Sequence, residues 1–384
     1  MSFEQITSNA QLIDLCQRLG NAKVLALDTE FIREKTYYPK LCLIQIATPD
    51  IIACIDPLSI QDMQPLWDLL RKPSNIKVFH AARQDLEIFY QLMGEIPKPL
   101  FDTQLVATVL GYGEQMGYGN LMNKVLGVEL KKGHARTDWQ QRPLSSEQLE
   151  YAADDVRYLI QAYPLLIDKL ETLKRFDWLT DDFDALAKAS LYEIEPDQVW
   201  QRVSGYTRLK GQQLAVLRPL AAWREQQAIK RDKPRKWILA DDMLVGLAQH
   251  PPKDMAQLQR LRGLSENLIK HHGEELLDII TQGQATPKEQ WPTVKFKSRL
   301  SIEQDALVDS IMALVRLRAV QNQITATLLA TRKDIDKIVL GDQDVALLTG
   351  WRAALAGNDV LAYLDGKLAL KVENHNLVVQ PIPT

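Results

Sequence analysis

Four apolar residues, Val24, Leu25, Ala26 and Leu27, run straight into two carboxylates, Asp28 and Glu30. The apolar part has no polar face, which predicts a strand buried on both sides. Side chains at i and i+2 of a strand point the same way, so Asp28 and Glu30 stand together at the end of a buried element. Two like charges about 4 Å apart repel by about 4 kcal/mol at an effective dielectric near 20. A chain that builds this pair needs something to offset it. Taken alone, a DxE at a strand end reads as a salt bridge or a cap; with further acids brought to the same place, it calls for a cation.

The surrounding pattern predicts an α/β fold. A polar turn, REKTYYPK, follows the first strand. Then come LCLIQIA and IIACIDP, two short apolar runs separated by TPD, so three strands with short links suggest an antiparallel meander. Helical MQPLWDLLR, strand-like IKVFH, helical ARQDLEIFYQLMG and a short strand LFDT complete a mixed sheet flanked by helices. From about residue 196 the strand signals stop, and helical periodicity takes over with Pro, Gly or Asp at its breaks. WREQQAIKRDKPRKWILADDML is weakly echoed by LRAVQNQITATLLATRKDI, which suggests two all-helical repeats separated by the polar, proline-containing TQGQATPKEQWPTVK. The expected domains are 1–195, 205–288 and 296–374, with a loosely ordered tail after Asn374.

At 384 residues, 46% hydrophobic and 25% charged, the composition is that of an ordinary globular protein of two or three domains. No run approaches the roughly 18 apolar residues of a membrane span, and MSFEQITSNAQ has neither the basic nor the apolar region of a signal peptide. The expectation is a cytoplasmic protein with no membrane association, and nothing demands more than a monomer. Cys16, Cys42 and Cys54 show no CxxC spacing and sit in apolar patterns, so they read as reduced core residues. Net charge is only −3, and any contact with nucleic acid must use local basic charge.

Two further acids can join the strand-end pair. Asp85 lies in FHAARQDLEIF on the first turns of a helix after IKVFH. Asp155 lies in LEYAADDVRYL, on a helix expected to start at Ser145 or Ser146, with Tyr151 four residues earlier on the same face. Oxygen-only ligands point to a hard divalent ion, Mg²⁺ or Mn²⁺, and not to zinc. Two such ions are the usual device for in-line displacement at phosphorus. The set DTEF, HAARQDLE and Y-x-x-x-D resembles the three exonuclease motifs of the DEDD superfamily, tyrosine subclass. The helical repeats resemble HRDC domains, and the chain as a whole resembles the bacterial ribonuclease D family.

That resemblance implies a ribonuclease-H-like exonuclease domain followed by two all-α HRDC domains, and 3′-to-5′ hydrolysis of RNA that releases nucleoside 5′-monophosphates. It implies that Asp28, Glu30 and Asp155 hold a first metal ion, that Asp28 bridges to a second supported by Asp85, and that Tyr151 orients the attacking water. The implied substrates are RNA 3′ ends, with tRNA precursors as the expected partner. Thr29 and Phe31 flank Glu30 where the family places the terminal nucleotide. RTDWQQRPLS resembles the segment before the third motif, so Arg136 and Arg142 are candidates for RNA contact, while Trp139 reads as a packing anchor. His80 reads as a satisfied strand-end histidine. Asp102 reads as ordering a turn, and Asp154 points about 100° away from Asp155 on its helix.

Between Arg208 and Lys236 nine Lys or Arg face two acids, Glu225 and Asp232, beside Trp237. Lys230, Arg231, Lys233, Arg235 and Lys236 are the expected phosphate contacts, against the alternative of a solvated face. Two other functions compete: a DNA exonuclease of the same superfamily and a non-catalytic nucleic-acid-binding module. The presence of all four acids and the tyrosine weighs against the second. No GxxxxGK[ST] motif accompanies the domain, which weighs against a replicative or helicase context.

Overall fold

The computed structural model describes residues 2–130, 133, 137–294 and 300–383. A mixed sheet is built from β1 (Glu4–Ile6), β2 (Val24–Ile32), β3 (Lys40–Ala47), β4 (Ile52–Ile55), β5 (Ile76–Phe79) and β6 (Leu100–Asp102). Their order across the sheet is β1-β4-β3-β2-β5-β6. β3 and β4 form an antiparallel pair, and β1 joins parallel to β4. The three residues of β1 are too few to show an alternation, so the sequence gives no sign of it.

The other half of the sheet is parallel and sets the chemistry. β2 pairs with β5 through Val24–Ile76 and Ala26–Val78, and β5 pairs with β6 through Phe79–Asp102. The C-terminal ends of these three strands therefore lie along one edge of the sheet. Asp28 and Glu30, His80 and Asp102 all arrive there, where open α/β sheets bind their ligands.

Three helices matter to that edge: α1 (Arg83–Met93), α2 (Tyr118–Leu126) and α3 (Ser146–Thr172). Ser145 caps α3, and the capping box closes on Gln148, three positions into the helix. Leu149, Ala152, Ala153, Val156 and Leu159 of α3 are buried, a helical stripe that lies against β4 and β5. Cys42 and Cys54 are buried thiols, and Cys16 is half-buried.

The chain divides into two compact units. One unit comprises residues 1–30, 41–189 and 298–384; the other comprises 31–40 and 190–297. In the second unit α4 (Gln212–Arg231) and α5 (Glu266–Gln284) surround an apolar core that includes Trp200, Leu217, Leu220, Trp223, Leu247 and Leu276. The segment 31–40 is held there by polar bonds. The Tyr37 hydroxyl donates to Glu225 at 2.5 Å, and Asp232 accepts the backbone N–H groups of Tyr37 and Tyr38 at 2.9 and 3.1 Å.

The second helical region, by contrast, groups with the sheet. Its helix α6 (Ile302–Gln321) contributes Val308, Ile311, Leu314 and Val315 to a core of its own. Trp178 and Trp351 stack with ring centroids 4.3 Å apart and planes 5° from parallel. Arg175 and Arg352 close the stack from either side, 4.9 and 4.4 Å from the ring centres. A Cβ on Gly111 would lie 2.2 Å from the Gln323 carbonyl oxygen, so this approach requires glycine.

One part of the all-helical expectation is overturned. β7 (Leu368–Glu373), inside the region expected to be all-helical, pairs antiparallel with β8 (Asn376–Pro381), from the stretch expected as a loose tail. Their two-residue turn, Asn374 and His375, has φ of 49° and 62°. Positive φ at both positions is the turn that matches strand twist, and Asn tolerates it.

Candidate active site

β2 delivers two of the acids. Asp28 and Glu30 project from the same face of the strand, while Thr29 between them points the other way into the protein and is 6% exposed. α3 delivers the third. Asp28, Glu30 and Asp155 are half-buried, and one oxygen from each lies within 4.8 Å of the other two. That spacing can hold a metal ion.

Asp85 stands slightly apart from this triple, 6% exposed, on the first turn of α1. The Thr29 hydroxyl donates to it at 2.5 Å. The Thr29 side chain is thus bonded to an acid of the site.

The electrostatics follow from burial and crowding. Burial raises the pKa of Asp28. Burial also raises Glu30, with Asp28, Asp155 and Asp85 adding to the shift. Burial followed by the Asp28 charge raises both Asp85 and Asp155. The cluster resists carrying its full negative charge in the absence of a cation. All of its donors are carboxylate oxygens, the set that suits a hard divalent ion.

Tyr151 sits one turn before Asp155 on α3. Burial, and then the charges of Asp155, Glu30 and Asp28, push its phenol well above the ordinary range. It therefore remains a neutral hydroxyl, suited to donating or accepting a hydrogen bond. Trp139, 2% exposed, lies against it with ring centroids 6.2 Å apart, which bears out the reading of Trp139 as packing.

Arg142 is corrected. Its Nε and Nη2 donate to Asp56, Nη1 donates to the carbonyls of Trp139 and Gln141, and Nη2 also donates to the Cys42 carbonyl. These bonds use all five N–H groups of a guanidinium, so none is left for a phosphate. The residue pins the segment before α3 to β3 and β4. Arg136 lies outside the described residues. Phe31 follows Glu30 on β2 and is half-buried.

Tyr118 carried no signal within MGYGNL, yet its hydroxyl donates to the Asp154 carbonyl at 2.8 Å, tying α2 to the turn of α3 that presents Asp155. Its ring packs edge-on against His80, whose Nδ1 meets the Thr103 hydroxyl at 2.9 Å. Asp154 pairs with Arg157 along the helix.

In the helical unit, Lys230, Arg231, Lys233 and Lys236 are exposed and Arg235 is half-buried. Arg231 approaches His272 at 2.5 Å, Arg235 lies 3.7 Å from Glu225, and Lys236 lies 3.7 Å from Asp241. Arg224, counted in the sequence among the basic excess, is 2% exposed and pairs with Asp241, so it belongs to the core and not to a surface patch. Trp237 is 61% exposed.

A family model described as a 3′-5′ exonuclease matches residues 3–172, and a model of the HRDC domain matches residues 213–280. Fold and acid cluster together thus define a 3′-to-5′ exonuclease. Ribonuclease D of Sphingobium indicum is 40% identical over 377 residues, covering 97% of each chain. Ribonuclease D of Zymomonas mobilis is 41% identical over 380 residues, again covering 97% of each. The crystal structure of Escherichia coli RNase D, an exoribonuclease involved in structured RNA processing, matches with a TM-score of 0.83 at 33% identity, over 95% of this chain and 99% of that one. The chain belongs to the ribonuclease D family and is a 3′-to-5′ exoribonuclease. Among the described residues no helix is long and apolar enough to cross a membrane.

Proposed function

We propose that the protein trims RNA 3′ ends, tRNA precursors among them, one nucleoside 5′-monophosphate at a time, with two Mg²⁺ or Mn²⁺ ions. The observation that carries this reading is the meeting of Asp28, Glu30 and Asp155 oxygens within 4.8 Å, with buried Asp85 close by. Asp28, Glu30 and Asp155 would hold one ion, and Asp28 with Asp85 a second. When bound, the ions activate water and neutralise charge on the leaving oxygen. Tyr151, a neutral hydroxyl beside Asp155, orients the water. Thr29 keeps Asp85 aimed at its partners. The protein acts as a monomer.

The second helical region repeats the plan of the first, which supports reading it as HRDC-like. Each begins with a helix of 20 residues, followed by one of four residues and one of eight or nine. The exposed basic run Lys230–Lys236, with Trp237, is the surface in the first region that suits single-stranded RNA, through phosphate contacts and base stacking.

The test is cleavage of 5′-labelled and 3′-labelled RNA with and without Mg²⁺. A 5′-labelled ladder that shortens from the 3′ end, with label released from the 3′-labelled strand as mononucleotide and both lost in EDTA, is expected. Tyr151→Phe should lower single-turnover cleavage by about 10²- to 10⁴-fold with RNA affinity kept. Cleavage that persists in EDTA removes the metal reading, and an unchanged Tyr151→Phe rate returns that residue to packing.

A further inference from the structure

Asp102 ends β6 with a side chain only 4% exposed. One of its roles is ordinary: Oδ1 accepts the Gln104 N–H at 2.8 Å and so caps the helix Thr103–Val109. Its other bonds cross to the exit of the neighbouring parallel strand. Oδ1 accepts the Ala81 N–H at 3.0 Å, and Oδ2 accepts the Ala82 N–H at 2.9 Å.

Ala81 has φ of 59°, the left-handed region that a residue with a Cβ enters only at a cost in energy. Strain of this kind persists where the surroundings hold it, and it gathers at functional sites. The residues after it are Ala82, which is the N-cap of α1, and then Arg83, Gln84 and Asp85 in the first turn. The direction of that turn, and with it the direction of the Asp85 carboxyl, is set by the two peptides that Asp102 grips. The Thr29 hydroxyl fixes the far end of the same carboxyl. Asp85 is thus held at its tip by β2 and at its root by β6.

We propose that Asp102 is a positioning residue for Asp85: by holding the strained Ala81–Ala82 turn it keeps that acid aimed at the divalent ion shared with Asp28. The inference rests on the metal reading given above. Asp102 itself touches neither ion nor RNA. A plain capping role would require only the bond to Gln104.

Asp102→Asn tests the difference. It keeps an acceptor for the cap but puts an amide donor against the Ala82 N–H. Mn²⁺ titrations by calorimetry and by electron paramagnetic resonance, with melting temperature measured alongside, should show the weaker of two ions bound about 10- to 100-fold less tightly, the range typical for groups that orient metal ligands. The kcat for a short 3′-labelled oligonucleotide should fall at low Mn²⁺ and recover at high Mn²⁺, with KM for RNA unchanged. Adding Ala81→Gly should restore part of the Mn²⁺ affinity, because glycine adopts the left-handed turn without being held. Asp102→Ser, which retains a capping hydroxyl but withdraws the reach to Ala81 and Ala82, gives the same readout should Asp102→Asn fail to fold. A lower melting temperature with parental Mn²⁺ affinities, or an Asp102→Asn defect that Ala81→Gly leaves untouched, overturns the inference and leaves Asp102 as a helix cap. A parent protein that binds no Mn²⁺ overturns the metal reading and this inference with it.

Discussion

The carboxylates at the end of β2 and the basic run from Lys230 to Lys236 are charge clusters of opposite sign, built in opposite ways. The acids come from β2, α1 and α3, separated by more than a hundred residues of chain, and they meet half-buried or buried. The bases are neighbours in sequence, all but the half-buried Arg235 exposed, at and beyond the end of α4, and three of them already face a polar or acidic group. Charge packed into a low-dielectric site is expensive until a counter-ion arrives, so the acids are selective and few. Charge spread over a solvated surface is cheap to hold and adds up contact by contact. The acidic site should therefore fail all at once, and the basic one by degrees.

The sharpest way to break this contrast is Asp28→Asn, which removes one ligand charge and keeps the shape. Loss of a single contribution of several kcal/mol to transition-state stabilisation corresponds to roughly 10³-fold or more in rate. Cleavage should fall by that much while RNA affinity in filter binding stays near the parent. A near-parental rate in Mg²⁺ would show that the acids are not a site.

A second test uses pH. The folded, metal-free protein holds Asp28, Glu30, Asp85 and Asp155 above their ordinary pKa values, Asp28 at about 7. Raised folded values favour the protonated form, so the stability they contribute is fully present below the ordinary carboxylate range, near 4, and is lost as pH rises through the raised values. Divalent ions displace those protons. The rise in melting temperature on replacing EDTA with Mg²⁺ should therefore be larger at pH 8 than at pH 5.5, and calorimetry in buffers of different ionisation enthalpy should register proton release. An equal rise at both pH values contradicts the cluster's electrostatics.

The basic run gives the smallest effect. Replacing Lys230, Arg231, Lys233, Arg235 and Lys236 by Gln should flatten the dependence of log affinity on log salt by about 0.7 for each phosphate no longer neutralised, and by at most about 3.5 in all. Because Arg231, Arg235 and Lys236 already have partners, a change nearer 1.4 is expected, at about 0.7 each for the remaining two. Cleavage of a very short oligonucleotide should be nearly unchanged, and longer RNA should suffer selectively. A parental salt slope would make the run a solvated face only.

Local pattern determined much of this protein. The buried strand ending in Asp28 and Glu30, the capped helix carrying Tyr151 and Asp155, the turn-ordering place of Asp102 and the two successive helical regions each depend on short-range periodicity, capping and charge spacing, which a sequence displays directly. Only the tertiary structure decided what those pieces do to one another. Arg142 looked like a phosphate contact until its five donors were found bonded to Asp56 and three carbonyls. Nothing in DTEF shows that the Thr29 hydroxyl bonds Asp85, an acid 56 residues away. The second helical region resembles the first in plan, but it groups with the sheet, where Trp351 stacks on Trp178. The physical reason is common to these cases. A side chain with several donors, or a ring with two faces, takes the partner that folding brings within about 3 to 4 Å. That partner usually lies far away in the chain.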